Sequence, residues 1–321
     1  MEVIHVDNPK SLKLPPLAMA LGFFDGVHLG HQRVIGEAKK IADREGWKSA
    51  VMFFNPSPKE VLGKTPGDVH YITLLDEKIK LIEQLGIDYI FIVPFTKEFA
   101  GKSPETFVEE YIVALNVQHV VAGFDFTYGK FGKGNMETLK EHSKGRFSQT
   151  TIGKITHGEL KISSTHIREL IKKGEMEEVT KYLGRFYAHK AKVIHGQKRG
   201  SKLGFPTANL QVDPRYVLPE KYGVYAARLF VKGIWHNGVL NIGTNPTFNE
   251  ETSKQFIEIY LLDFSDTIYG EEVILEWHRY QREELKFHDV NDLIKQMEQD
   301  EKEARAYFAN LDNNRPIREN E

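Results

Sequence analysis

The sequence contains no cysteine. That excludes disulfide scaffolds, thiolate metal sites and cysteine nucleophiles together, and it fits a reducing, cytoplasmic setting, which is the expected one. Long apolar runs are also missing. No stretch of 18 apolar residues occurs, so none reads as a membrane span. Met1 to Asp7 is too acidic and too weakly apolar to read as a secretory signal. Charge of one sign is not in excess: 43 Lys and Arg stand against 45 Asp and Glu. Neither half is a polycation, which disfavours non-specific binding to a nucleic-acid backbone. The Walker A pattern Gly-x4-Gly-Lys-Ser/Thr does not occur either. No internal repeat or low-complexity tract is evident. The expected partners are small molecules, with neither membrane nor nucleic acid among them.

What remains is an ordinary globular composition, 40% hydrophobic and 27% charged over 321 residues, a length that suggests two domains. The first half alternates short apolar runs (17–24, 49–54, 89–95, 119–124) with stretches of helical spacing that start near Gly30, Leu74 and Ser103. Such alternation predicts a mainly parallel sheet with helices on both faces, whose ligands sit at the carboxyl ends of the strands. The second half is β-rich. Strands are expected at 190–195, 223–231, 235–242, 256–264 and 272–280, with a tight turn at Lys232-Gly233 and a last helix capped by Asp289. Several strands at short spacing suggest a small antiparallel barrel. The expected domains are 1–185 and 186–321.

Chemistry-bearing residues concentrate in the loops. Gly22-Phe23-Phe24-Asp25-Gly26-Val27-His28-Leu29-Gly30-His31 joins the first strand to the first helix. Glycines let backbone approach a ligand, and helix amides carry partial positive charge. Two histidines three residues apart can share one side of a helix start. Together these suit the phosphates of a nucleotide. Ile162-Ser163-Ser164-Thr165-His166-Ile167-Arg168 sets three hydroxyls before an arginine at a second helix start. Hydroxyls and amides hold phosphate oxygens, and Arg168 can neutralise developing charge.

The second half has its own cluster, His195-Gly196-Gln197-Lys198-Arg199-Gly200-Ser201-Lys202-Leu203-Gly204-Phe205-Pro206-Thr207-Ala208-Asn209. Thr207 and Asn209, two apart in an extended segment, share a face and offer hard oxygen ligands suited to Mg²⁺.

The first two strings resemble the nucleotidyltransferase superfamily signatures HxGH and ISSTxxR. Gly123-Phe124-Asp125-Phe126-Thr127-Tyr128-Gly129 narrows the likeness to the flavin branch. Gly204 to Asn209 is similar to the PTAN signature of riboflavin kinase, as are Gly223-Val224-Tyr225, Asn241-Ile242-Gly243 with Pro246-Thr247-Phe248, Glu258 and Tyr269-Gly270. The chain thus resembles the prokaryotic bifunctional riboflavin kinase/FAD synthetase family over roughly residues 15–310.

The resemblance implies an α/β nucleotidyltransferase (Rossmann-like) domain followed by a riboflavin kinase-like β-barrel with a terminal helix. It implies a kinase converting riboflavin to FMN and an adenylyltransferase converting FMN to FAD, each using ATP and Mg²⁺. The implied adenylyltransferase residues are Gly22, Phe23, Asp25, His28, Gly30, His31, Gly123, Asp125, Ser163, Ser164, Thr165 and Arg168, with Phe126 and Tyr128 for the flavin. For the kinase they are Gly196, Gly200, Lys202 and Gly204 toward nucleotide, Thr207 and Asn209 toward metal, Glu258 as base and Arg282 toward flavin. Departures from the family pattern are Asn55-Pro56-Ser57-Pro58 in place of Asp-Pro-His-Pro, and Lys202 and Asn245 where arginine is frequent. These keep open a reading with only one working activity. A non-catalytic flavin binder is the other rival.

Overall fold

A computed structural model describes residues 1–63, 69–157, 160–196, 204–245 and 254–314. The chain divides into two compact units, Met1–His166 and Ile167–Glu321.

The first unit is built on β1 (Glu2–His5), β2 (Leu17–Leu21), β3 (Lys48–Asn55), β4 (Tyr89–Pro94), β5 (Val117–Gly123) and β6 (Ser148–Ile152). They form one sheet in the order β1-β4-β3-β2-β5-β6. Every pairing in it is parallel. The central strand β2 is buried along its whole length. Leu17, Met19 and Leu21 join the core on one face, and Ala18 and Ala20 the core on the other. This two-sided burial explains why β2 reads as an unbroken apolar run. The edge strands β1 and β6 were not expected, because edge burial leaves too weak an apolar signal.

Helices α1 (Leu29–Glu45), α2 (Pro58–Leu62), α3 (Leu75–Glu83), α4 (Lys97–Ala100), α5 (Pro104–Val108) and α6 (Met136–Ser143) follow the strands. Val34, Ile35, Ala38, Ile41 and Ala42 form the buried stripe of α1, and Gly46 stops it at φ 70°. Ser103 caps α5 as expected, its hydroxyl accepting the Thr106 N–H. A two-strand ribbon, β7 (Thr156–His157) and β8 (Leu160–Lys161), leads into α7 (Ser164–Lys172).

The second unit adds α8 (Met176–Leu183) and a closed barrel. Its strands are β9 (Tyr187–Ile194), β10 (Thr207–Val212), β11 (Gly223–Val231), β12 (Ile234–Asn245), β13 (Lys254–Leu261) and β14 (Glu272–Arg282). The order around the barrel is β10-β13-β12-β11-β14-β9, antiparallel throughout. Lys232 and Gly233 both have positive φ, as the tight β11–β12 turn requires. The last helix, α9 (Val290–Asn314), is capped by Asp289, which accepts the Asn291 N–H at 2.7 Å. Its Ala304 and Phe308 pack on Ala226 and Leu262 of the barrel. Among the described residues no helix is long and apolar enough to cross a membrane.

Inside the barrel, Tyr225 and Trp277 pack edge to face at 5.2 Å, and the Trp277 indole N–H donates to His189 Nε2 at 2.9 Å. His189 is 1% exposed, and burial pushes its imidazole down to about 4. The folded barrel therefore refuses a proton that the unfolded chain accepts below about pH 6.5. This contribution is complete above that pH and is lost as pH falls toward 4, by up to about 1.4 kcal/mol per unit. Denaturant unfolding between pH 7.5 and 4.5 should show this loss. His189→Gln, less stable at neutral pH, should flatten the slope.

Candidate active sites

In the first unit most of the candidate site residues gather where the strands stop. The turn after β2, Phe54 at the end of β3, Gly123 at the end of β5 and Ile152 at the end of β6 line a cleft of about 540 Å³ with α1 and the Ser163–Thr165 segment. This is the carboxyl edge of the sheet, where chain ends and helix starts leave backbone amides unspent.

His28 caps α1 with its own ring: the His31 N–H donates to His28 Nδ1 at 3.2 Å. With Nδ1 spent as an acceptor, the neutral ring carries its proton on Nε2 as a donor. The two imidazoles stack with centroids 3.5 Å apart and planes 15° from parallel. Gly30 lies close beneath the His28 ring, since a Cβ there would meet His28 Cε1 at 3.0 Å and press on it. The expected adjacency of the two histidines is thus present, and both line the cleft with Gly22, Phe23 and Gly30.

Asp25, expected to contact the nucleotide, makes close contacts within the chain. It is 1% exposed. Its carboxylate accepts the backbone N–H groups of Ile72 at 3.1 Å and Thr73 at 3.1 Å, and it is absent from the cleft lining. Its carbonyl accepts the Ser164 hydroxyl at 2.9 Å. Hydrogen bonds from backbone amides to a buried carboxylate hold the loop in place. Ser163 caps α7, accepting the His166 N–H at 3.3 Å, while Ser163, Ser164 and Thr165 also line the cleft. Arg168 stands one turn farther along α7.

Gly123, Asp125 and Phe126 also line the cleft. The Asp125 carboxylate accepts from Lys161 Nζ at 2.6 Å, and the same ammonium sits 4.6 Å above the Phe124 ring. Lys161 is a cleft cation that sequence reasoning missed. Its signal was a basic residue directly before Ile162-Ser163-Ser164. Tyr128 faces an adjoining cavity of about 420 Å³ walled by Phe54, Phe95, Phe99, Phe107 and Phe131, with Lys97, Lys102 and Lys130 at its rim. Its hydroxyl bonds His142 Nδ1 at 2.8 Å.

Buried Lys78 was also missed. It donates from Nζ to the Phe23 carbonyl at 3.0 Å and lies over the Phe23 and Phe53 rings. Ser57, standing where the family pattern has histidine, caps α2.

In the second unit, Asn209 on β10 stands opposite Glu258 on β13, and the Thr207 hydroxyl reaches Glu258 Oε2 at 3.5 Å. Leu210, Ile257 and Ile259 point into the barrel. Alternation therefore puts Thr207, Asn209 and Glu258 together on its outer surface. Gly196 lies against this row: a Cβ there would meet Asn209 Nδ2 at 2.0 Å. Gly204 turns into β10 at φ 87°. Gly200 and Lys202 lie outside the described residues, as does the 246–253 segment. Arg282 is held by Asp300 of α9 through Nε at 2.7 Å and a second nitrogen at 2.6 Å. Its guanidinium ties the end of β14 to that helix.

Replacing Asp25 tests its anchoring role. Asp25→Ala would leave buried amides unpaired, at about 1–3 kcal/mol each. We expect a lower melting transition of the first unit, measured by calorimetry, with no ligand present. An unchanged transition would contradict the assignment.

Comparisons with known proteins divide the chain in the same way. A family model for FAD synthetase matches residues 11–166, and one for riboflavin kinase matches residues 183–308. A bifunctional riboflavin kinase/FMN adenylyltransferase of Listeria monocytogenes is 49% identical over 92% of this chain and 93% of its own length. A protein so described from Bacillus subtilis is 46% identical over 97% and 99%. A solved structure from Streptococcus pneumoniae, described as a macrolide-efflux protein, has a TM-score of 0.87 and 32% identity over 94% of this chain and 98% of its own. With both family models matched in order and relatives alike over nearly the full length, the chain belongs to the bifunctional riboflavin kinase/FMN adenylyltransferase family.

Proposed function

We propose that the two constellations perform the two reactions separately. The barrel phosphorylates riboflavin to FMN, and the parallel-sheet unit adenylylates FMN to FAD, with ATP as the co-substrate of each. Placing the boundary at 185/186 gives each reaction its own domain. Two observations carry the reading: the grouping of Thr207, Asn209 and Glu258 on one face of the barrel, and the histidine-capped cleft of the parallel-sheet unit.

The two sites meet different chemical demands. Riboflavin attacks through a neutral hydroxyl, which must lose a proton as its oxygen bonds the γ-phosphorus. Glu258 accepts that proton, and ADP leaves. Thr207 and Asn209 would hold Mg²⁺, since a hydroxyl and a carboxamide oxygen suit that ion. When bound, the ion supplies positive charge to the phosphates. Gly196, Gly200, Lys202 and Gly204 are assigned to the nucleotide, and Arg282 to fixing the flavin edge through its pairing with Asp300.

The FMN phosphate is already an anion and needs no base. It attacks the α-phosphorus of ATP, and pyrophosphate leaves. Positioning and charge stabilisation carry this step. His28 offers Nε2–H to phosphate oxygen, His31 stacks beside it, and Arg168 with the Ser163–Thr165 hydroxyls completes the cradle. Gly123 and Asp125 take the adenosine. Phe126 and Tyr128 lead the flavin toward the aromatic cavity, whose lysine rim suits a phosphate ester. The capped Ser57 turn shapes this site without an imidazole, so the departure there leaves adenylylation intact. A cysteine-free chain handling these soluble nucleotides suits the cytoplasm.

One chromatographic time course with riboflavin, ATP and Mg²⁺ tests the assignment. His28→Ala and His31→Ala should accumulate FMN and slow FAD formation by about 10²-fold, equivalent to ~2.7 kcal/mol. Glu258→Ala should block FMN formation yet convert supplied FMN. Equal loss of both steps in either folded variant would overturn the two-site reading.

A further inference from the structure

The row on the outer barrel surface continues beyond the three residues assigned so far. Asn241 on β12 is the registered partner of Glu258 on β13, as Asn209 is on the opposite side. Registered residues of antiparallel strands project to one face, and neighbouring strands lie about 4.8 Å apart. Leu240 and Ile242, the neighbours of Asn241, are fully buried in the barrel. Asn241 therefore shares the outer face with Glu258.

Two carboxamides thus flank the carboxylate, and they are not equivalent. Asn209 abuts Gly196, leaving no room for a side chain between them. Asn241 Oδ1 is buried and has no hydrogen-bond partner among the described residues. A buried acceptor of this kind calls for a donor. The group beside the proton acceptor of a kinase acting on a polyhydroxylated chain meets hydroxyl donors.

We propose that Asn241 is a substrate-contact residue of the kinase site. Its carboxamide oxygen accepts a hydrogen bond from a hydroxyl of the substrate's polyol chain next to the one that reacts. It thereby selects which hydroxyl is presented to Glu258. This rests on the kinase reading of the barrel.

The test compares riboflavin with lumiflavin, the same ring bearing a methyl in place of the polyol. Dissociation constants come from flavin fluorescence, on the full chain. Asn241→Ala should weaken riboflavin binding about tenfold, as for loss of one hydrogen bond, and leave lumiflavin binding unchanged. Asn241→Asp keeps an acceptor at the same reach and should return riboflavin affinity to within about threefold of the parent. Unchanged riboflavin binding in Asn241→Ala, or equal weakening of both flavins, would overturn the inference while leaving the kinase reading standing. Failure of the unaltered chain to phosphorylate riboflavin would overturn the kinase reading itself.

Discussion

Around Asp25 three stretches of chain meet. Its carboxylate takes the amides of Ile72 and Thr73, its carbonyl takes the Ser164 hydroxyl, and the Gly26 N–H donates to Thr73 Oγ1. The turn carrying His28, the loop before α3 and the start of α7 are thereby locked to one another. A phosphate cradle made of backbone amides and hydroxyls works only if those groups are already aimed, since aiming them during the reaction would raise its barrier. The buried carboxylate supplies that rigidity from beneath. Lys78, gripping the Phe23 carbonyl, braces the same turn from α3.

The barrel solves its problem differently. Its interior is packed with Tyr187, Tyr225 and Trp277, all fully buried. The candidate polar row lies on the outer surface, where strand pairing sets spacing. Register across β10, β13 and β12 fixes Asn209, Glu258 and Asn241 in a line, so the hydrogen-bonded ladder that stabilises the barrel also positions the Glu258 carboxylate. Arg282 and Asp300 tie β14 to α9, and that helix covers part of the same outer surface through Ala304 and Phe308.

The two units illustrate two ways of assembling polar groups without burying them unpaired. The parallel sheet collects strand ends and helix starts along one edge, and its candidate site groups come from the loops. The barrel projects side chains from strand interiors, and its candidate site groups come from pleat alternation. Each follows from where unspent backbone groups fall: at the ends of parallel strands in one, nowhere along a closed barrel in the other.

Much of this was legible in the chain itself. The run around β2 announced a doubly covered strand, because burial on both faces removes alternation. The His28-x-Gly30-His31 spacing announced a helix start, and the closeness of Thr207 to Asn209 in sequence put them on one strand face. Contacts between distant segments were not legible. Nothing near Asp25 in sequence marks it as an anchor, since its partners lie 47 and 48 residues away. In sequence Asp25 reads as a ligand contact, and its hydrogen bonds with Ile72 and Thr73 arise only in the fold. The same holds for Lys161 against Asp125, Asp300 against Arg282, and Asn241 against Glu258. Local propensity and pattern act over a few residues, so they specify elements and turns. Which polar group meets which is set by sheet order and register, which arise only when the whole core closes.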